Sequence, residues 1–100
     1  MDYQVIWAES AIQDLREVCS FISKDNPQAA LQVGETILEH VKVLASFPLI
    51  GPAFPRRSEG NVREIVCLKY RVFYSVVDAT KTVEVLRVWH GARGEPPKLV

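Results

Sequence analysis

The chain has 100 residues, 12 Lys+Arg against 12 Asp+Glu for a formal net charge of zero, and 48% apolar residues. This length and apolar share predict one domain spanning 1–100 around a single core. Zero net charge argues against a protein whose main work is gripping nucleic acid through bulk charge, although positive residues outnumber negative ones between Arg56 and Arg93. No apolar run approaches the ~20 residues that cross a bilayer, and the first apolar run lacks the basic flank of a signal peptide. Cys19 and Cys67 stand apart, without the spacing of a metal site. The expectation is a cytosolic protein that needs no metal or cofactor.

In chain order, Tyr3-Gln4-Val5-Ile6-Trp7 has the character of a short strand. Ser10, with Gln13 three residues on, has the spacing of a helix N-terminal capping box. Ile12, Leu15, Val18, Cys19 and Ile22 follow as one apolar stripe, with Asp14, Arg16 and Glu17 off it. Asp25-Asn26-Pro27 ends that helix and starts another, Asn26 acting as cap and Pro27 taking the first helical position. Ala30, Val33, Ile37, Val41 and Leu44 carry a second stripe toward Phe47, where Pro48 stops it. Two amphipathic helices joined by so short a turn pack as an antiparallel hairpin.

Residues 48–60 are rich in proline and glycine and include the basic pair Arg56-Arg57. Three strands are predicted next: Val62 to Leu68, Arg71 to Val77 and, after the turn Asp78-Ala79-Thr80-Lys81, Val83 to Trp89. Short connections make them an antiparallel meander. The fold class is therefore α+β in the order β-α-α-β-β-β, with the N-terminal strand and the helical hairpin packed on a mainly antiparallel, curled sheet. The tail from Gly94 is too short and proline-containing for a further helix.

The chemistry-bearing residues gather late in the chain. Tyr70-Arg71-Val72-Phe73-Tyr74 and Val85-Leu86-Arg87-Val88-Trp89-His90-Gly91-Ala92-Arg93 place a histidine and several arginines near one end of the sheet. Such a cluster suits phosphate, carboxylate or an acidic protein surface. Each member also has an ordinary structural reading. Arg71 can pair with Glu64, His90 can close a strand by bonding a carbonyl, and Arg93 and the Arg56-Arg57 pair can be solvated. Trp7 and Trp89 read as core aromatics, His40 as a rim residue, and Tyr74 as a core aromatic with a bonded hydroxyl.

Five pieces in order resemble the ParE/RelE toxin superfamily over nearly the whole chain. They are the Trp7 strand leading into Ala11-Ile12-Gln13-Asp14-Leu15, Phe47-Pro48 with Gly51, Arg63-Glu64-Ile65, Tyr70 to Tyr74, and Val88 to Arg93. The resemblance implies the toxin of a type II toxin–antitoxin system, neutralised by a cognate antitoxin in a hetero-oligomer. Arg56, Arg57, Arg63, Arg71 and Arg93 are the candidate partner-binding residues. ParE-like members inhibit DNA gyrase, and this chain is similar to them in its two long helices directly after the first strand and in its neutral charge. RelE-like members cut messenger RNA on the ribosome. Their lysines on the strand before the Tyr-Arg strand correspond here to Val62 and Glu64, and no tyrosine follows Tyr74. A catalytic set of Glu64 as base, Arg71 and Arg93 as phosphate clamps and His90 as acid is the alternative that the resemblance allows. It depends on those side chains converging. A non-toxic interaction module of the same fold is the third reading.

Overall fold

Asn26 and Pro27 act as their types predict: the Asn26 side chain accepts a hydrogen bond from the Ala29 backbone N–H at 3.0 Å, and Pro27 opens the second helix. In the computed structural model, which describes residues 2–55, 60–97 and 99, the elements are β1 (Gln4–Trp7), α1 (Glu9–Ser23), α2 (Pro27–Lys42), β2 (Val62–Cys67), β3 (Tyr70–Val77) and β4 (Thr82–His90). Single 3-10 turns follow α2 at Val43–Ala45, β3 at Asp78–Thr80 and β4 at Gly91–Arg93. The α+β order is the expected one. α2 ends at Lys42, before Phe47, and the chain tightens into the 3-10 turn ahead of Pro48.

Ser10 is not the cap of α1. The Ala8 backbone N–H is held by the Val85 carbonyl at 2.9 Å, so the chain turns from strand to helix two residues earlier, with Ala8 at the N-cap position. The Ser10 hydroxyl donates instead to the Leu86 carbonyl at 2.9 Å.

The sheet order is β1-β4-β3-β2. β1 runs parallel to β4, from Gln4 opposite Thr82 to Trp7 opposite Val85, and the other pairs are antiparallel. Between β3 and β4 the register shifts after Phe73: Phe73 faces Arg87 and Tyr74 faces Val85, leaving Leu86 as the extra residue of a bulge. Beyond Val85 no strand among the described residues lies along the outer edge of β4, and α1 packs against β4.

Strand alternation gives the sheet two different faces. Tyr70, Val72, Tyr74, Val76, Val83, Val85 and Val88 join Ala11, Ile37, Val41 and Leu44 in the core beneath the helices. Burying a side chain of the Ile37 or Leu44 kind contributes about 1.5–3 kcal/mol. On α1 the buried residues are Ala11 and Asp14, while Ile12 stays exposed. Asp14 is therefore not on the solvent side where its polarity placed it.

Tyr74 is fully buried, and its hydroxyl oxygen accepts the Gly51 backbone N–H at 3.0 Å. Burial pushes its pKa above the ordinary 10.0. The folded state thus holds this proton more tightly than the unfolded chain, and the associated stability is complete below pH 10 and lost as pH rises toward the folded value. Unfolding free energy is expected to fall above about pH 10, with a smaller fall in Tyr74→Phe. Chemical unfolding at pH 8 and above 10 for both proteins checks this.

Candidate functional site

The end of the sheet formed by β2, β3 and β4 carries most of the residues singled out above. On the face away from the helices, Glu64 of β2 and Arg71 of β3 form a two-point ion pair. Arg71 Nε donates to Glu64 Oε2, and Nη2 donates to Oε1 at 3.3 Å. The side chains are 22% and 17% exposed. The guanidinium also lies 5.3 Å from the ring centre of Phe54 and 5.0 Å from that of Phe73. Its hydrogen bond to Glu64 raises the Arg71 pKa above its already high ordinary value.

A second ion pair was not legible in the sequence. Arg87 donates through Nε to Asp14 Oδ2 at 2.6 Å and through Nη2 to Oδ1 at 2.8 Å. Asp14 Oδ2 also accepts the Val88 backbone N–H at 2.9 Å. With Ser10 one helical turn earlier bonding the Leu86 carbonyl, α1 satisfies through side chains the edge of β4 that a neighbouring strand would otherwise occupy. A serine and an acid at i, i+4 directly after a strand, with an arginine inside an apolar strand, was the available signal.

His90 and Arg93 sit at the end of β4. The His90 Nδ1 accepts the Ala92 backbone N–H at 3.0 Å, where a bond to a carbonyl was expected, so the neutral ring carries its proton on Nε2. The ring meets Tyr70 edge-on at 5.3 Å. A cleft of about 320 Å³ beside it is lined by Glu17, Phe21, Tyr70, His90 and Arg93. Arg93 stacks 4.0 Å above Trp89, whose Nε1–H donates to the Gly94 carbonyl at 3.2 Å.

The register separates the proposed catalytic residues. Tyr70 faces His90 and Arg71 faces Trp89, so His90 lies on the helix-bearing face while Glu64 and Arg71 lie on the other. The structure brings Glu64 and Arg71 together and Arg93 to the aromatic neighbour of Arg71; it does not bring His90 to them. Arg63 donates to the Gly51 carbonyl at 2.6 Å, within the protein's own loop. Arg56 and Arg57 lie outside the described residues. Among the described residues no cluster of His, Cys, Asp and Glu is placed to hold a metal, and no helix is long and apolar enough to cross a membrane.

The other prominent surface is a groove of about 920 Å³ between α1 and α2, lined by Ile12, Leu15, Cys19, Leu31, Gly34 and Leu38. Leu31 is 58% exposed and Leu38 43%. Apolar side chains left open along both helices of a hairpin offer an amphipathic segment a place to lie.

A strand, a helical hairpin and a three-stranded meander bearing an arginine-rich end define a domain of the ParE/RelE toxin type. The family profile described as the ParE toxin of type II toxin-antitoxin system, parDE, matches residues 5–94. The chain is 32% identical to Y4kP of Sinorhizobium fredii, assigned as a toxin, over 96% of each chain. Its fold is similar to that of a chromosomal ParDE toxin–antitoxin system from P. aeruginosa, with a TM-score of 0.73, 22% identity, and 88% of this chain and 95% of that one covered. It is similar too to the RelBE2 toxin–antitoxin complex of Mycobacterium tuberculosis, with a TM-score of 0.63, 26% identity, and coverage of 90% and 99%. The chain belongs to the ParE toxin family of type II toxin–antitoxin systems.

Proposed function

We propose that this toxin arrests growth by binding a protein target, DNA gyrase being the one that its ParE-like character favours, and that a cognate antitoxin neutralises it. The observation that carries this reading is the commitment of the site's cations. Arg71 is paired with Glu64 and Arg87 with Asp14, and His90 lies on the opposite face of the sheet from Glu64 and Arg71. Cleaving RNA through its 2′-hydroxyl requires an acid, a base and cations converging on one phosphate. Here a phosphate would have to displace Glu64 before Arg71 could hold it. The apolar groove between α1 and α2 is suited to an amphipathic antitoxin helix, and the related solved structures include toxin–antitoxin complexes.

The test is gyrase-catalysed supercoiling with the purified chain. Inhibition at stoichiometric ratios is expected, with reversal by the antitoxin and no loss in His90→Ala. Absence of inhibition by folded protein, together with messenger RNA cleavage on translating ribosomes that His90→Ala abolishes, would overturn the reading in favour of a nuclease.

A further inference from the structure

We propose that the open edge of β2 is a self-association surface, on which two copies of this chain pair antiparallel about Val66. β2 is an outer strand of the sheet. Part of its outer edge is covered by the chain's own loop: Phe54 N–H bonds the Val62 carbonyl at 3.0 Å, Glu64 N–H bonds the Pro52 carbonyl at 3.0 Å, and Ala53 bridges Arg63. Those two bonds also fix the orientation of the backbone. The carbonyl of Val62 and the N–H of Glu64 point outward, and alternation then points both polar groups of Val66 outward as well. No described residue pairs with them.

Apolar side chains are exposed around this edge, beside the charges of the Glu64–Arg71 pair, which neutralise each other. The Val66 side chain is 62% exposed, Leu68 56%, Ile50 59% and Val43 42%. A groove of about 530 Å³ runs beside the strand between Val43, Ile50, Pro52, Ile65 and Val66, with His40 and Glu64 also on its wall. Exposed edge strands with unpaired backbone groups are templates for pairing, and the charges of β2 and its neighbour, Arg63, Glu64 and Arg71, are bonded within the chain. β1, the other outer strand, has only four residues.

The length of the open stretch selects the occupant. It is bounded on one side by the loop at Pro52 and on the other by the hairpin turn, where Leu68 adopts φ 58°. A strand of ordinary length, about 5–6 residues, that ran straight on past Glu64 would meet the loop. A second copy would not, because its own β2 turns back at Leu68, two residues past Val66. In a two-fold arrangement Val66 faces Val66, each N–H bonding the other's carbonyl, and Leu68 of one copy reaches the Glu64–Pro52 contact of the other. The two four-stranded sheets become one, and a chain of zero net charge carries no overall repulsion against such pairing.

Sedimentation velocity on the purified chain from about 1 to about 100 µM tests this. A monomer–dimer equilibrium is expected, and Val66→Lys should weaken it at least about tenfold. Val66→Pro should do the same while keeping the ladder to β3, because the N–H it removes faces outward. Amide exchange of Val66 needs no variant: its protection should rise with protein concentration. A chain that stays monomeric over this range would overturn the proposal, as would a dimer that persists in both variants or a Val66 amide indifferent to concentration.

Discussion

Replacing Asp14 with alanine is expected to lower the unfolding free energy by about 3 kcal/mol, the low end for breaking a buried pair because Arg87 keeps some exposure. The loss has two parts. Arg87 is left partly buried without its counter-charge, and the Val88 N–H on the open edge of β4 is left without an acceptor. Asp14→Asn keeps an oxygen for Val88 and should lose about half as much. Asp14→Leu combined with Arg87→Met removes both charges, yet it still orphans the Val88 N–H, so about 1–3 kcal/mol of destabilisation should remain. Urea unfolding followed by far-ultraviolet circular dichroism measures all three. A loss below about 1 kcal/mol in Asp14→Ala would mean that the Asp14–Arg87 pair contributes little to holding α1 on β4.

Gly51→Ala is expected to cost at least about 3 kcal/mol through forced overlap with backbone. A methyl group at this position would overlap the Glu64 carbonyl oxygen and come within 2.9 Å of the Tyr74 hydroxyl. Neither neighbour can yield cheaply. Glu64 is in β2, and Tyr74 lies in the centre of the core with its hydroxyl on the Gly51 N–H. Relief by moving β2 would also disturb the Glu64–Arg71 pair. The same substitution at Gly34 serves as contrast: the methyl would lie 3.2 Å from the Cys19 sulfur, the end of a side chain. A helical glycine-to-alanine change there gains about 0.5–1 kcal/mol of backbone entropy, so Gly34→Ala should be close to neutral. Thermal unfolding of the two variants side by side checks the contrast.

The elements were legible where local chemistry decided them. Asn26 and Pro27 mark a helix start by what their own atoms can and cannot bond, and the β-branched and aromatic runs after Val62 had no competing reading. Tyr74 and the Glu64–Arg71 pair were also readable, because strand alternation alone brings Glu64 and Arg71 within reach across two neighbouring strands. Interactions spanning most of the chain were not. Asp14 looked like a solvent-side residue since nothing near it in sequence calls for a carboxylate; its partners are Arg87 and Val88, 73 and 74 residues away. Ser10 had the spacing of a cap, but the bond from Ala8 to Val85 set the helix start first. His90 and Arg71 share one short stretch of sheet, and the parity of the register between β3 and β4 divides them by face.

The position of β4 has a consequence for the toxin's birth. Among the described strands β4 comes last in the sequence, yet it sits inside the sheet between β1, which comes first, and β3. Until it emerges, β1 has no partner, Asp14 has no arginine, and the core lacks Val83, Val85 and Val88. A chain that stops before β4 therefore lacks the strand that joins β1 to β3, and the four-stranded sheet cannot form.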